Sequence, residues 1–99
     1  MTLTVVITRD VEDRYRGFLA SALLEVAPGV YTSPHLSARA RDTVWAVLKR
    51  WHRELGRGSI VMIRADRQAE GGLDLRHLGE PPREAVRLDG VLLTRRVTT

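Results

Sequence analysis

The sequence predicts an α+β fold, a mostly antiparallel sheet with two helices on one face, on three observations. Two segments carry apolar residues at three- and four-residue spacing, several short β-branched or alternating runs lie around them, and Gly and Pro pairs mark the breaks. Residues 3–8 are a β-branched apolar run that reads as a buried strand ended by Arg9-Asp10. From Glu12 to Val26 the positions Tyr15, Phe18, Leu19, Ala22, Leu23 and Val26 fall on one side of a helix, which Pro28-Gly29 stops. Val30-Tyr31-Thr32 reads as a brief second strand. Ser37 suits an N-cap, because its hydroxyl can accept from an otherwise unpaired backbone N–H. The stripe Ala40, Val44, Val47, Leu48, Trp51, Leu55 then carries a second helix toward Gly56 and Gly58. Ser59 to Ala65 is a third strand, Gly71-Gly72 a turn, and Leu73 to Leu78 a fourth strand. Pro81-Pro82 breaks the chain, and Asp89-Gly90 introduces a last strand over Val91 to Arg95.

The 99 residues suffice for one domain with a C-terminal extension, divided here as 1–80 and 81–99. A chain of this size buries only about two-thirds of its unfolded surface, which favours an oligomer. The absence of cysteine excludes a disulfide framework and any thiolate metal site. No stretch approaches the roughly 20 apolar residues of a membrane span, and the start lacks the pattern of a secretion signal, so a cytoplasmic protein with no membrane partner is expected. The net charge is +4, and 15 of the 16 basic residues are arginine. The planar guanidinium fork matches phosphate oxygens, so the composition favours a polyanionic partner, with a solvated arginine-rich surface as the alternative.

Four local patterns follow in order: Thr4-Val5-Val6-Ile7-Thr8; Arg14-Tyr15-Arg16-Gly17; Leu23-Leu24-Glu25-Val26 with Gly29-Val30-Tyr31; and Ser37-Ala38-Arg39-Ala40-Arg41-Asp42 closing on Trp45. Together they resemble the small CRISPR-associated adaptation protein Cas-two, in its type I-E branch, with the likeness running from about Leu3 to Arg96. The resemblance implies a ferredoxin-like sandwich of the βαββαβ type plus a C-terminal strand, one strand of which is not evident from the residues alone. It also implies a non-catalytic homodimeric scaffold of the spacer-acquisition complex. Such a hub sits beside the CRISPR integrase (Cas-one) and binds the backbone of duplex DNA. In the family, basic residues at the positions of Arg14, Arg16, Arg39 and Arg41 contact that backbone. Arg83 aligns loosely as a further contact. The segment after the fourth strand packs across the dimer or onto the integrase, which makes Val91, Leu92 and Leu93 partner contacts.

The competing expectation is a Mg²⁺-dependent endonuclease acting on RNA or DNA. Acidic residues at the end of the first strand lie near the dimer two-fold in the family, and some members are assigned nuclease activity through them. Asp10 is the matching carboxylate and the candidate catalytic and metal residue, although Arg9 stands where the branch usually shows an acid or polar group. By their position Asp10, Glu12 and Asp13 equally supply negative charge at a helix N-terminus. His35, His52 and His77 show no metal-ligand spacing. Gly56-Arg57-Gly58-Ser59 lacks the lysine of a phosphate loop and precedes a strand rather than a helix. Trp51 fits the core stripe, and Trp45 suits the core edge or a subunit contact.

Overall fold

In a computed structural model, which describes residues 2–97, β1 (Thr2–Arg9) is the central strand of a five-stranded antiparallel sheet. Around it the chain forms α1 (Asp13–Ala22), β2 (Leu24–Ala27), β3 (Val30–Leu36), α2 (Ala38–Leu55), β4 (Ser59–Ala65), β5 (Leu73–Leu78), β6 (Arg83–Leu88) and β7 (Val91–Arg96). The strand order is β2-β3-β1-β4-β5, and β6-β7 form a second sheet of their own. The first six elements are the βαββαβ arrangement, and β5 extends the sheet at the β4 edge. Met1, Thr98 and Thr99, which belong to the two expected ranges 1–80 and 81–99, lie outside the described residues.

Two expectations are corrected. The first helix ends at Ala22, and the strand that the residues did not reveal is β2. Leu23 caps the helix in an extended conformation, its N–H donating to the Leu19 carbonyl, and the chain goes directly into pairing with β3, Glu25 opposite Tyr31. Pro28 and Gly29 are therefore the turn of a hairpin, with Gly29 at a φ of 77° as a proline-led turn requires. Thr8 donates its backbone N–H to the Gly29 carbonyl at 2.7 Å, which fixes this turn against the end of β1. The second correction is β6. The last strand is half of a hairpin whose two-residue loop is Asp89-Gly90, at φ values of 50° and 80°. Both positive values are those of the turn that best matches strand twist.

The register separates the sheet into two faces. Val6, Tyr31, Met62 and Arg76 share one face, since Val6 pairs with Tyr31 and Met62, and Met62 with Arg76. Against Val6, Tyr31, Ile60 and Met62 pack Tyr15 and Leu19 of α1 and Val44 and Leu48 of α2. Both helices thus lie on this face, as expected from their stripes. Leu19 and Leu48 are fully buried, and such burial stabilises by about 1.5–3 kcal/mol per side chain. Ser37 caps α2 as read from the sequence, accepting from the Ala40 N–H at 3.1 Å, and Gly56 ends it in the left-handed region.

The opposite face carries Val5, Ile7, Val30, Val61, Ile63, Leu75 and His77 in register. Among the described residues no helix lies on this face, where Ile7 is 39% exposed, Leu3 55%, and Val5, Val61, Ile63 and Leu75 are half-buried. The β6-β7 hairpin packs against the Glu70–Gly72 turn and against β5 of the main sheet. A Cβ placed on Gly71 would come within 2.6 Å of Leu92 Cδ1 and 2.8 Å of the Ala85 Cβ, so glycine is required for that contact.

Candidate nucleic-acid interface

The start of α1 is set by the way β1 ends. Asp10 adopts a φ of 56°, a left-handed conformation that aspartate tolerates, and turns the chain off the sheet. Glu12 precedes the helix in extended conformation, and Asp13 supplies the acid of the first turn. Gly58 closes the other side, because a Cβ there would meet the Arg9 and Asp10 carbonyl oxygens at 2.5 Å.

Arg14 and Arg16 both emerge from the exposed side of α1, and they point to different neighbours. The Arg14 guanidinium sits 5.3 Å from the centre of the Trp51 ring. That ring is held edge-on by Tyr15 at 5.4 Å and Phe18 at 5.3 Å. Arg16 leans toward β2, where its Nε donates to Glu25 Oε1 at 3.3 Å, and its side chain remains 71% exposed. Neither arrangement removes the cation from solvent. The Trp51 platform was not foreseen from the residues, because the helical stripe identifies Trp51 as a core position and says nothing about which element lies over its ring.

Arg39 and Arg41 separate more sharply. Arg39 is exposed at the first turn of α2. Arg41 is 12% exposed and closes a ring of four charges: it bonds Asp42 at 3.1 Å and reaches Asp74 at 3.7 Å, while Arg76 bonds Asp42 at 3.2 Å and Asp74 at 3.1 Å. The Arg41 guanidinium, together with Arg76, holds the Asp42 carboxyl below the ordinary aspartate value. Two cations and two anions cancel, so Arg41 ties α2 to β5 and offers little net charge to a ligand.

Arg83 stands apart from these. It begins β6 and lines a cleft with Ile7, Arg9, Ser59, Val61 and His77, residues of the open sheet face. Burial, and then the nearby Arg83 charge, push the His77 imidazole below its usual value. The expected nucleic-acid residues therefore divide into Arg14, Arg16 and Arg39 on the helical layer, Arg41 in the ion-pair ring, and Arg83 on the other side of the sheet.

Asp10 lines a cleft with Glu12, Asp13, Arg16 and Glu25. Two of these acids are already engaged, Glu12 with Arg57 at 3.7 Å and Glu25 with Arg16. Among the described residues no group of three His, Asp or Glu side chains is arranged to hold a metal ion. Burial, with Glu12 beside it, raises the Tyr15 phenol, whose oxygen has no hydrogen-bond partner among the described residues.

Val91, Leu92 and Leu93 are 55%, 40% and 46% exposed, and they do not share a face. Val91 pairs with Leu88 and Leu93 with Val86, which makes an outward aliphatic patch, whereas Leu92 turns toward Gly71. Among the described residues no helix is long and apolar enough to cross a membrane. The sequence matches, over residues 3–93, the model of the family described as CRISPR-associated protein (Cas_Cas2CT1978), and the chain, Cas2-like in sequence and ferredoxin-like in fold, belongs to that family.

Proposed function

We propose that this protein is a type I-E Cas2-like scaffold: a homodimer that holds the backbone of duplex DNA during spacer acquisition and leaves strand transfer to the integrase. The observation that carries this reading is the division of the molecule into two unlike faces. The helical layer presents Arg14, Arg16 and Arg39 to solvent, and the other side of the sheet presents a partly exposed aliphatic field. Guanidiniums on one rigid layer suit successive phosphates, which fix position without reading sequence. The aliphatic field suits a second copy, because a two-fold axis buries the same patch on both subunits. Leu88, Val91 and Leu93 on the outward side of the hairpin are the contact offered to the integrase. The branch assignment rests on the Leu23-Leu24-Glu25-Val26 and Ser37-to-Trp45 motifs.

Integration of a labelled duplex into a repeat by the cognate integrase tests the proposal. Wild type and Asp10→Ala are expected to support integration equally, and Arg14→Ala with Arg16→Ala to support it poorly. Loss of integration in Asp10→Ala, together with a Mg²⁺-dependent cleavage that the same substitution removes, would replace the scaffold with a nuclease. Sedimentation of Ile7→Glu as a monomer, against a wild-type dimer, checks the role of the open face.

A further inference from the structure

Beyond Arg39, the outer side of α2 carries two more cations in the same stripe. Eleven residues separate Arg39 from Arg50 and fourteen separate it from Arg53. At 3.6 residues per turn these separations are about 20° past three turns and about 40° short of four, so the three side chains leave the helix within one stripe about 60° wide. All three are exposed. Among the described residues none has a carboxylate oxygen within 4.0 Å. Of the acids on the helix, Asp42 is engaged by Arg41 and Arg76, and Glu54 lies to the side of the stripe that faces α1. Between the cations lie small side chains, Thr43 and Ala46, which with Arg39, Asp42, Val47 and Arg50 line a shallow groove, Asp42 being held there by Arg41 and Arg76.

We infer that this outer stripe of α2 is a track for duplex DNA backbone in which Arg50 and Arg53 act with Arg39. The inference rests on the duplex-binding reading above and extends it along the whole helix. Three observations favour a duplex. The stripe lies on one rigid helix, about 21 Å from Arg39 to Arg53 at 1.5 Å per residue. Its three cations are exposed, the one carboxylate on the groove, Asp42, is already bonded by Arg41 and Arg76, and the described residues of the stripe include no large exposed aliphatic side chain that would enter a lipid surface. The cations also cluster at its two ends, about 16 Å apart along the axis. That gap is of the order of the major-groove width, about 12 Å, plus its flanking phosphates, so Arg39 meets one strand and Arg50 with Arg53 the other.

The test is fluorescence anisotropy of the full chain with two labelled duplexes of unrelated sequence, titrated across NaCl concentrations. Arg50→Ala with Arg53→Ala is expected to reduce the magnitude of the log–log salt slope by about two units for both sequences, at about 0.9 per phosphate contact. Arg50→Lys with Arg53→Lys keeps the slope. Arg67→Ala with Arg87→Ala, which removes the same net charge from exposed positions off both helices, leaves the slope at the wild-type value. Arg50→Gln with Arg53→Gln, checked for an unchanged melting temperature, repeats the measurement in a second folded variant. A wild-type slope in the Ala and Gln pairs overturns the track, as does an equal loss in the Arg67/Arg87 pair or a loss confined to single-stranded DNA. If Arg14→Ala with Arg16→Ala lowers the slope and the Arg50/Arg53 pairs do not, the duplex reading stands without the track. If neither pair lowers it, both fall.

Discussion

Arg14-Tyr15-Arg16 and Arg39-Ala40-Arg41 are the same pattern at the same place, the opening turns of a helix, with an apolar residue between two arginines. Their surroundings make them different. Under α1 the nearest strand offers one acid, Glu25, and Arg16 stays 71% exposed while bonding it. Under α2, Asp74 and Arg76 of β5 meet Asp42, and Arg41 is drawn down to 12% exposure. One pair keeps both cations available to a phosphate backbone, whereas the other keeps only Arg39. A local motif places a charge on a helix face, and the strand beneath decides whether that charge remains free.

The comparison can be tested at three places. The largest effect is expected at Trp51, which supports Arg14 and packs against Tyr15 and Phe18. Trp51→Leu should cost about 1–3 kcal/mol of stability, since each edge-to-face pair is worth about 0.5–1.5 kcal/mol beyond its buried area. In duplex binding it should weaken affinity by about two- to fivefold, the equivalent of an exposed cation–π contact of about 0.5–1 kcal/mol. In an Arg14→Ala background the binding loss should vanish, and equal losses in both backgrounds would show that the ring does not position Arg14.

The two arginines of the second pair should exchange phenotypes. Arg41→Ala is expected to lower stability by about 1 kcal/mol and leave the DNA salt slope unchanged. Arg39→Ala should reduce the slope by about one unit and leave the melting temperature unchanged. Matching slopes and melting temperatures for the two variants would erase the distinction drawn between them.

The smallest effect concerns pH. Asp42 has a folded value below the ordinary aspartate value, because Arg41 bonds its charged form and Arg76 adds to this. A depressed carboxyl contributes stability above its unfolded value, about 3.9, and the contribution disappears as pH falls through the folded value. Melting temperature should therefore fall more steeply below pH 4 in the wild type than in Asp42→Asn. Parallel curves would mean that the ring adds nothing to stability.

Sequence periodicity revealed both helices and most strands, and it failed at two places for identifiable reasons. Over Leu23-Leu24-Glu25-Val26, helical spacing and alternation are both satisfied, since four residues are too few to separate a period of 3.6 from a period of 2. Pairing of Glu25 with Tyr31 decided for the strand, and Leu24 and Val26 remain exposed on it. The other failure was β6, where Pro81-Pro82 masked the run that follows. Asp89-Gly90 held the signal, because a two-residue turn of that composition needs a strand on each side. The arginines were legible as residue types at helix starts. Which of them stayed free was not, since the ring partners Asp74 and Arg76 lie more than thirty residues downstream of Arg41.

By itself the sequence determined the α+β class, the Ser37 and Gly56 limits of the second helix, the cationic character of both helix starts, and the spacing of Arg39, Arg50 and Arg53. These follow from short-range geometry, in which side-chain direction is set by residue number along a helix or strand. Tertiary structure decided that β2 is a strand, that Arg41 is neutralised, that Arg83 lies across the sheet from Arg14, and that the field around Ile7 stays partly exposed. Each of these depends on which distant segment arrives at a given face, and that is fixed by strand order and register, which no local pattern contains.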